Sequence, residues 1–106
     1  SYLGGIDFSQ PVRVETLSQG TRVIQYQEAG ATVGSSFAPI GTSADALGIR
    51  AAGRMPVMYE TTSDVSVLKS IAKDTSTNMK LEEALRGNGG GSQYFTADRT
   101  KFKAVP

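Results

Sequence analysis

The chain has no histidine and no cysteine among its 106 residues, and no tryptophan. The first two absences exclude thiolate and imidazole zinc sites, Ser-His-Asp and Cys-His nucleophile systems, and histidine general acid–base catalysis. Without cysteine there is also no disulfide framework or redox motif to indicate a compartment. Any chemistry therefore falls to carboxylates, amides, hydroxyls, Lys, Arg or the backbone. Excess charge is missing too: eleven basic and ten acidic residues leave a formal charge of +1, the basic ones spread thinly from Arg13 to Lys103. Phosphate-tracking nucleic-acid binding depends on clustered Lys and Arg that release counterions, so this spread weakens a nuclease reading, and nucleic acid is not an expected partner. No apolar run approaches the roughly 20 residues that cross a bilayer, and no membrane contact is expected. The start, Ser1-Tyr2-Leu3-Gly4-Gly5, lacks an initiator Met and the charged-then-apolar profile of a signal peptide. We expect one domain over residues 1–106, the C-terminal part of a longer protein, exported on information held elsewhere.

What is present is mostly strand-like. Apolar and polar residues alternate over residues 12–17 and 21–27, with Ser18-Gln19-Gly20 placed to join them as a hairpin. Residues 28–36, with Gly30 and Gly34, read as a loop. Phe37-Ala38-Pro39-Ile40-Gly41-Thr42 reads as an extended stretch leading into a helical turn over 43–47, capped by Ser43 and with Asp45 near its positive end. Residues 48–53 form a second flexible stretch, and Pro56 makes Arg54-Met55-Pro56 an edge or strand entry because proline lacks a ladder donor. Strands follow over 57–62 and 65–71, then a polar loop over 74–77. Residues 78–87 read as a short helix, with Leu81, Ala84 and Leu85 on one face, Asn78 as cap and Gly87 as stop. A last strand pair, 92–96 and 100–105, would close the sheet around Ala97-Asp98-Arg99. The fold class expected is α+β and β-rich, with small twisted antiparallel sheets and one or two short helices.

The segment Gly87-Asn88-Gly89-Gly90-Gly91 is the most unusual in the chain. So many glycines lose much conformational entropy on folding and need a reason. They either let a ligand approach the backbone, with N–H groups turned to a phosphate or carbonyl, or they form a helix-to-strand connector. The run matches neither a P-loop nor the dinucleotide fingerprint.

Its neighbours add to it. Thr21-Arg22-Val23-Ile24-Gln25-Tyr26-Gln27, Phe37-Ala38-Pro39-Ile40-Gly41-Thr42-Ser43, Tyr59, residues 65–68 and Gly90-Gly91-Ser92-Gln93-Tyr94 follow one another in order. In that order they resemble the tuberculosis necrotizing toxin family and, more closely, the NAD(P)-degrading toxin domains of bacterial type VI secretion effectors. The resemblance runs from about Gly5 to Phe95, and its most specific parts are the Phe37 to Thr42 and Gly90 to Tyr94 elements. It implies a reduced ADP-ribosyltransferase-like NAD-binding core that hydrolyses the nicotinamide–ribose bond of NAD(P)+, with the dinucleotide as substrate and neither cofactor nor metal. It implies a secreted toxin acting in the cytoplasm of a target bacterium, with a cognate immunity protein and delivery partners of the full-length effector.

By the same resemblance, Gln93 takes the place of the active-site glutamine, and Gln25 the strand position where effector-type members use glutamine. Phe37 takes an aromatic nicotinamide-side position, and Gly41-Thr42 the adjoining turn. Asp74 is the choice for the acidic residue, with Asn88 and Glu60 as rivals. The chain has no His after its middle strand, no Arg soon after Gly41-Thr42 and no Trp before the glycines. The necrotizing-toxin roles of those residues are not carried over.

The implied reaction suits a chain without histidine. Nicotinamide leaves NAD+ from a cationic ring and needs no general acid, only stabilisation of an oxocarbenium-like transition state and a placed water. The amides of Gln25 and Gln93 can orient water or a ribose hydroxyl, and a carboxylate can face the developing charge. Phe37 or Tyr94 can face the nicotinamide, Tyr26 is a further substrate-binding candidate, and Arg54 or Arg22 can pair with the pyrophosphate. Gly90 and Gly91 can offer backbone N–H groups. Each residue also has an ordinary explanation. Glutamines in strands usually face solvent, Arg54 can be a solvated charge, and Asp74 can cap its own loop. At least two of Tyr26, Phe37, Tyr94 and Phe95 should be core. Competing functions are an ADP-ribosyltransferase, whose usual arginine, Ser-Thr-Ser and Glu-x-Glu elements are not seen, an RNase toxin, and a non-enzymatic β-rich interaction module.

Overall fold

The computed structural model describes residues 6–49, 53–77 and 87–106. Within them seven strands appear in chain order: β1 (Arg13–Leu17), β2 (Arg22–Glu28), β3 (Ser36–Pro39), β4 (Arg54–Thr61), β5 (Val65–Ile71), β6 (Ser92–Phe95) and β7 (Phe102–Ala104). Helical structure among the described residues is limited to two three-residue 3₁₀ turns, Asp45–Leu47 and Arg99–Lys101. The first is capped as expected, the Ala46 N–H donating to Ser43 Oγ at 3.1 Å. The helix expected over 78–87 lies, but for Gly87, outside the described residues.

The strands form one antiparallel sheet in the order β1-β5-β6-β3-β2-β4-β7. This corrects two expected pairings. The Ser18-Gln19-Gly20 turn does not make a hairpin, because β1 pairs with β5 while β2 pairs with β3 and β4. Nor do β6 and β7 pair: β6 lies between β3 and β5, and β7 joins β4 at the far edge. In both cases periodicity found the strand but carried no information about its partner.

The order forces the sheet to curl. Four inter-strand steps separate β1 from β2, about 19 Å on a flat sheet, whereas Leu17 and Arg22 can stand at most about 17 Å apart. The link from β4 to β5 also spans four steps, in fewer residues. Both links run through one corner. Gly20 N–H donates to the Thr61 carbonyl at 2.9 Å, Thr61 N–H to the Thr21 carbonyl at 2.9 Å, and Gln19 N–H to Asp64 Oδ1 at 2.8 Å.

Curling wraps the sheet around its own apolar face. Leu17, Val23, Phe37, Tyr59, Val65, Val67 and Phe102 form one buried cluster, with Val33, Val57 and Tyr94 packed against it. Every strand therefore contributes to the same core. Phe37 sits at its centre, 2% exposed, stacked on Phe102 at 4.2 Å and edge-on to Tyr59 at 5.4 Å. Pro56 fits where expected: β7 covers β4 only from Tyr59 to Thr61, so Pro56 pairs with Tyr26 on one side and needs no donor on the other.

Candidate active site

The cleft opens where β2 and β3 part. Their ladder ends at the Ile24–Ala38 pair, while β2 runs on beside β4 to Glu28. Between the diverging strands lies a cleft of about 440 Å³. Gln25, Tyr26, Phe37, Arg54 and Gln93, all expected site residues, line it together with Glu28, Leu47 and Ile49. The two glutamines come from strands far apart in sequence, since β6 lies beside β3 and β3 beside β2.

Gln25 is buried and makes three hydrogen bonds. Its Oε1 accepts from Gly34 N–H at 2.7 Å and from Gln27 Nε2 at 2.8 Å, and its Nε2 donates to the Ser36 carbonyl at 2.7 Å. These bonds replace the ladder that β2 and β3 no longer make. A Cβ at Gly34 would lie 3.3 Å from Gln25 Nε2, so the amide would have to give by a few tenths of an ångström. Gln93 is half-buried, and its Nε2 donates to Oγ of the buried Ser70, its cross-strand partner on β5, at 3.2 Å. Tyr26 donates its hydroxyl to the Thr42 carbonyl at 2.8 Å, tying the turn after β3 to the cleft wall.

Other expected site residues lie elsewhere. The Thr42 hydroxyl donates to the Pro39 carbonyl at 2.8 Å and closes its own turn. Tyr94 packs against the core, and burial, then Glu15, pushes its phenol up, so it stays protonated at neutral pH. Asp74 is exposed and does not line the cleft; the hydroxyl and N–H of Ser76 donate to its Oδ1 and hold its carboxyl below the usual 3.8. Of its rivals, Glu60 is paired with Arg22 at 3.1 Å, and Asn88 bonds Asp45 through both its N–H and its side chain.

The glycine segment has a structural explanation. Gly89 N–H donates to the Asp45 carbonyl, Gly90 N–H to Ala72 and Gly91 N–H to Ala46, all at 2.8–2.9 Å. The expected anion-facing N–H groups of Gly90 and Gly91 are thus already used. A Cβ at Gly87, Gly89 or Gly91 would lie 2.6–2.8 Å from neighbouring backbone. The glycines let this segment press against the 3₁₀ turn and the end of β5, which brings Leu47 and Ile49 to the cleft beside Gln93.

Sequence reasoning missed Gln27, Glu28, Ser70 and the apolar pair Leu47 and Ile49. A signal for Gln27 existed: Gln25 and Gln27 are two apart on one strand and so share a face. Ser70 and Leu47 had none, because only strand order brings them to Gln93. Among the described residues no group of three or more acidic side chains gathers as a metal site.

The chain is 32% identical over 120 aligned residues to the NAD(P)+ glycohydrolase toxin Tse6 of Pseudomonas aeruginosa. That alignment takes in all of this chain and 27% of Tse6, so the chain spans about a quarter of that relative. A solved structure of Tse6 in complex with Tsi6 superposes with a TM-score of 0.77 at 31% identity, over 99% of this chain and 79% of that one. Rhs1-CT, solved in complex with its cognate immunity protein RhsI1, matches with a TM-score of 0.61 over 90% of this chain and 77% of its own. At 18% identity that likeness is one of fold. The family described as bacterial toxin 46 matches residues 1–102, nearly the whole length, and the chain belongs to that family.

Proposed function

We propose that the chain is the toxin domain of a larger secreted effector and hydrolyses the nicotinamide–ribose bond of NAD(P)+ inside a target bacterium. The observation that carries this reading is the meeting of Gln25 and Gln93 with Phe37 and Tyr26 in one cleft beside Arg54. The similarity of the whole chain to about a quarter of an NAD(P)+ glycohydrolase toxin supports it. So does the chemistry. The cleft offers amides, aromatic surface and the cation Arg54, which suits a reaction whose leaving group departs without a proton and whose transition state gathers positive charge at the ribose. In this reading Gln93, held by Ser70, orients the attacking water or a ribose hydroxyl. Phe37 and Tyr26 border the nicotinamide, and Arg54 takes the pyrophosphate. NAD(P)+ is substrate, and no further cofactor is needed.

Two carboxylates compete for the acidic role: Glu28 at the cleft mouth, and Asp74 on the loop after β5. The partner we propose is a cognate immunity protein, as found with Rhs1-CT. Nicotinamide release from NAD+ and from NADP+ by the purified chain tests the reading, with Asp74→Asn and Glu28→Gln assayed alongside. Turnover is expected, with one of the two variants losing it; no release at micromolar enzyme sinks the proposal.

A further inference from the structure

Gln25 is braced by Gln27, which lines the same cleft, and through it by Tyr59 in the core. Gln27 Nε2 donates to Gln25 Oε1 at 2.8 Å and to the Tyr59 hydroxyl at 2.7 Å, which uses both of its hydrogens. Tyr59 is 7% exposed, and its ring packs edge-on to Phe37 in the core. The chain of contacts thus runs from the core, through Tyr59 and Gln27, to Gln25, and ends on Gly34 and Ser36 in the segment that walls the cleft. The Gln25 amide orientation is set by its surroundings, since a carbonyl meets its nitrogen and an N–H meets its oxygen. Gln27 can then present only its nitrogen. Buried polar groups linked in this way hold one arrangement, because leaving any member unpaired is costly.

We propose that Tyr59 and Gln27 are positioning residues that act through Gln25 to hold residues 29–36 as a fixed wall of the substrate cleft. The effect on catalysis rests on reading this cleft as the NAD(P)+ site; the effect on the wall does not. Beyond Ile24–Ala38 no ladder joins β2 to β3, so the side-chain amides take over that task. Thr96 N–H donating to the Ser35 carbonyl and Arg99 donating to the Val33 carbonyl secure the other side of the same segment.

Tyr59→Phe tests this, because it removes the hydroxyl and keeps the ring against Phe37. Without substrate, amide hydrogen exchange at Gly34 is expected to speed up about five- to tenfold, the factor for losing about one hydrogen bond. Exchange across the β2–β4 ladder is expected to stay unchanged. With NAD+, KM is expected to rise about three- to tenfold while kcat changes less than about twofold, the signature of lost uniform binding. Gln27→Ala should speed Gly34 exchange at least as much, and the double variant should add nothing to it. Unchanged exchange at Gly34, exchange rising equally throughout the sheet, or additive variants would overturn the proposal. So would a fall in kcat at constant KM. If the wild-type chain consumes no NAD+, the enzymatic reading fails while the exchange measurements still decide whether the network holds the wall.

Discussion

Gln93 and Gln25 line the same cleft, and we propose different work for them. Three hydrogen bonds fix Gln25 between β2 and residues 34–36, so its amide serves first as structure. Gln93 donates to Ser70 at the cleft wall and is the residue we propose to meet the substrate. Gln93→Ala is expected to lower kcat by ~10²–10³ with little change in thermal stability, as for loss of a transition-state hydrogen-bonding group. Steady-state nicotinamide release and a melting curve check the two halves of that statement. Gln25→Ala should instead lower both activity and melting temperature. The residue types were legible in sequence through the resemblance around Gln25 and Gln93. Their division of labour was not, because it depends on Gly34, Ser36 and Ser70, which reach the glutamines only through strand order.

At the scale of elements, strands read from alternation matched the folded ones closely, apart from their partners. β2 and β5 fall within a residue of the expected 21–27 and 65–71. The glycine segment after residue 86 is the instructive case. As sequence it suited both a ligand loop and a connector, and the folded chain uses its glycines to let backbone pack on backbone. Gly89→Ala is expected to be the harsher change: φ is +73° and the new Cβ would stand 2.6 Å from the Ala72 carbonyl oxygen. A loss of about 2 kcal/mol or more follows, a fall of roughly 10 °C in Tm. Gly90→Ala meets open space and carries only the backbone strain at φ +88°, about 1–2 kcal/mol. Thermal melts of the two variants check the ranking, which would vanish if the segment were a loose linker.

For the whole molecule, the decisive fact is that one curled sheet buries a single core and opens its cleft at the seam where β2 leaves β3. Phe37 belongs to both, stacked on Phe102 and edge-on to Tyr59 in the core while lining the cleft. Phe37→Ala is expected to cost about 3–5 kcal/mol, a large share of the stability of a small domain. Denaturant unfolding should therefore show a sharply lowered midpoint, and activity should disappear with the fold. The sequence alone determined which chemistries were closed to this chain, since absent histidine and cysteine cannot be supplied by folding. It also determined the strands, because alternation is a local property of two to eight neighbouring residues. Only the tertiary structure decided which strands pair, why the glycines are needed and that Gln25 and Gln93 meet in one cleft. Those depend on contacts between residues dozens of positions apart, and no local pattern records them.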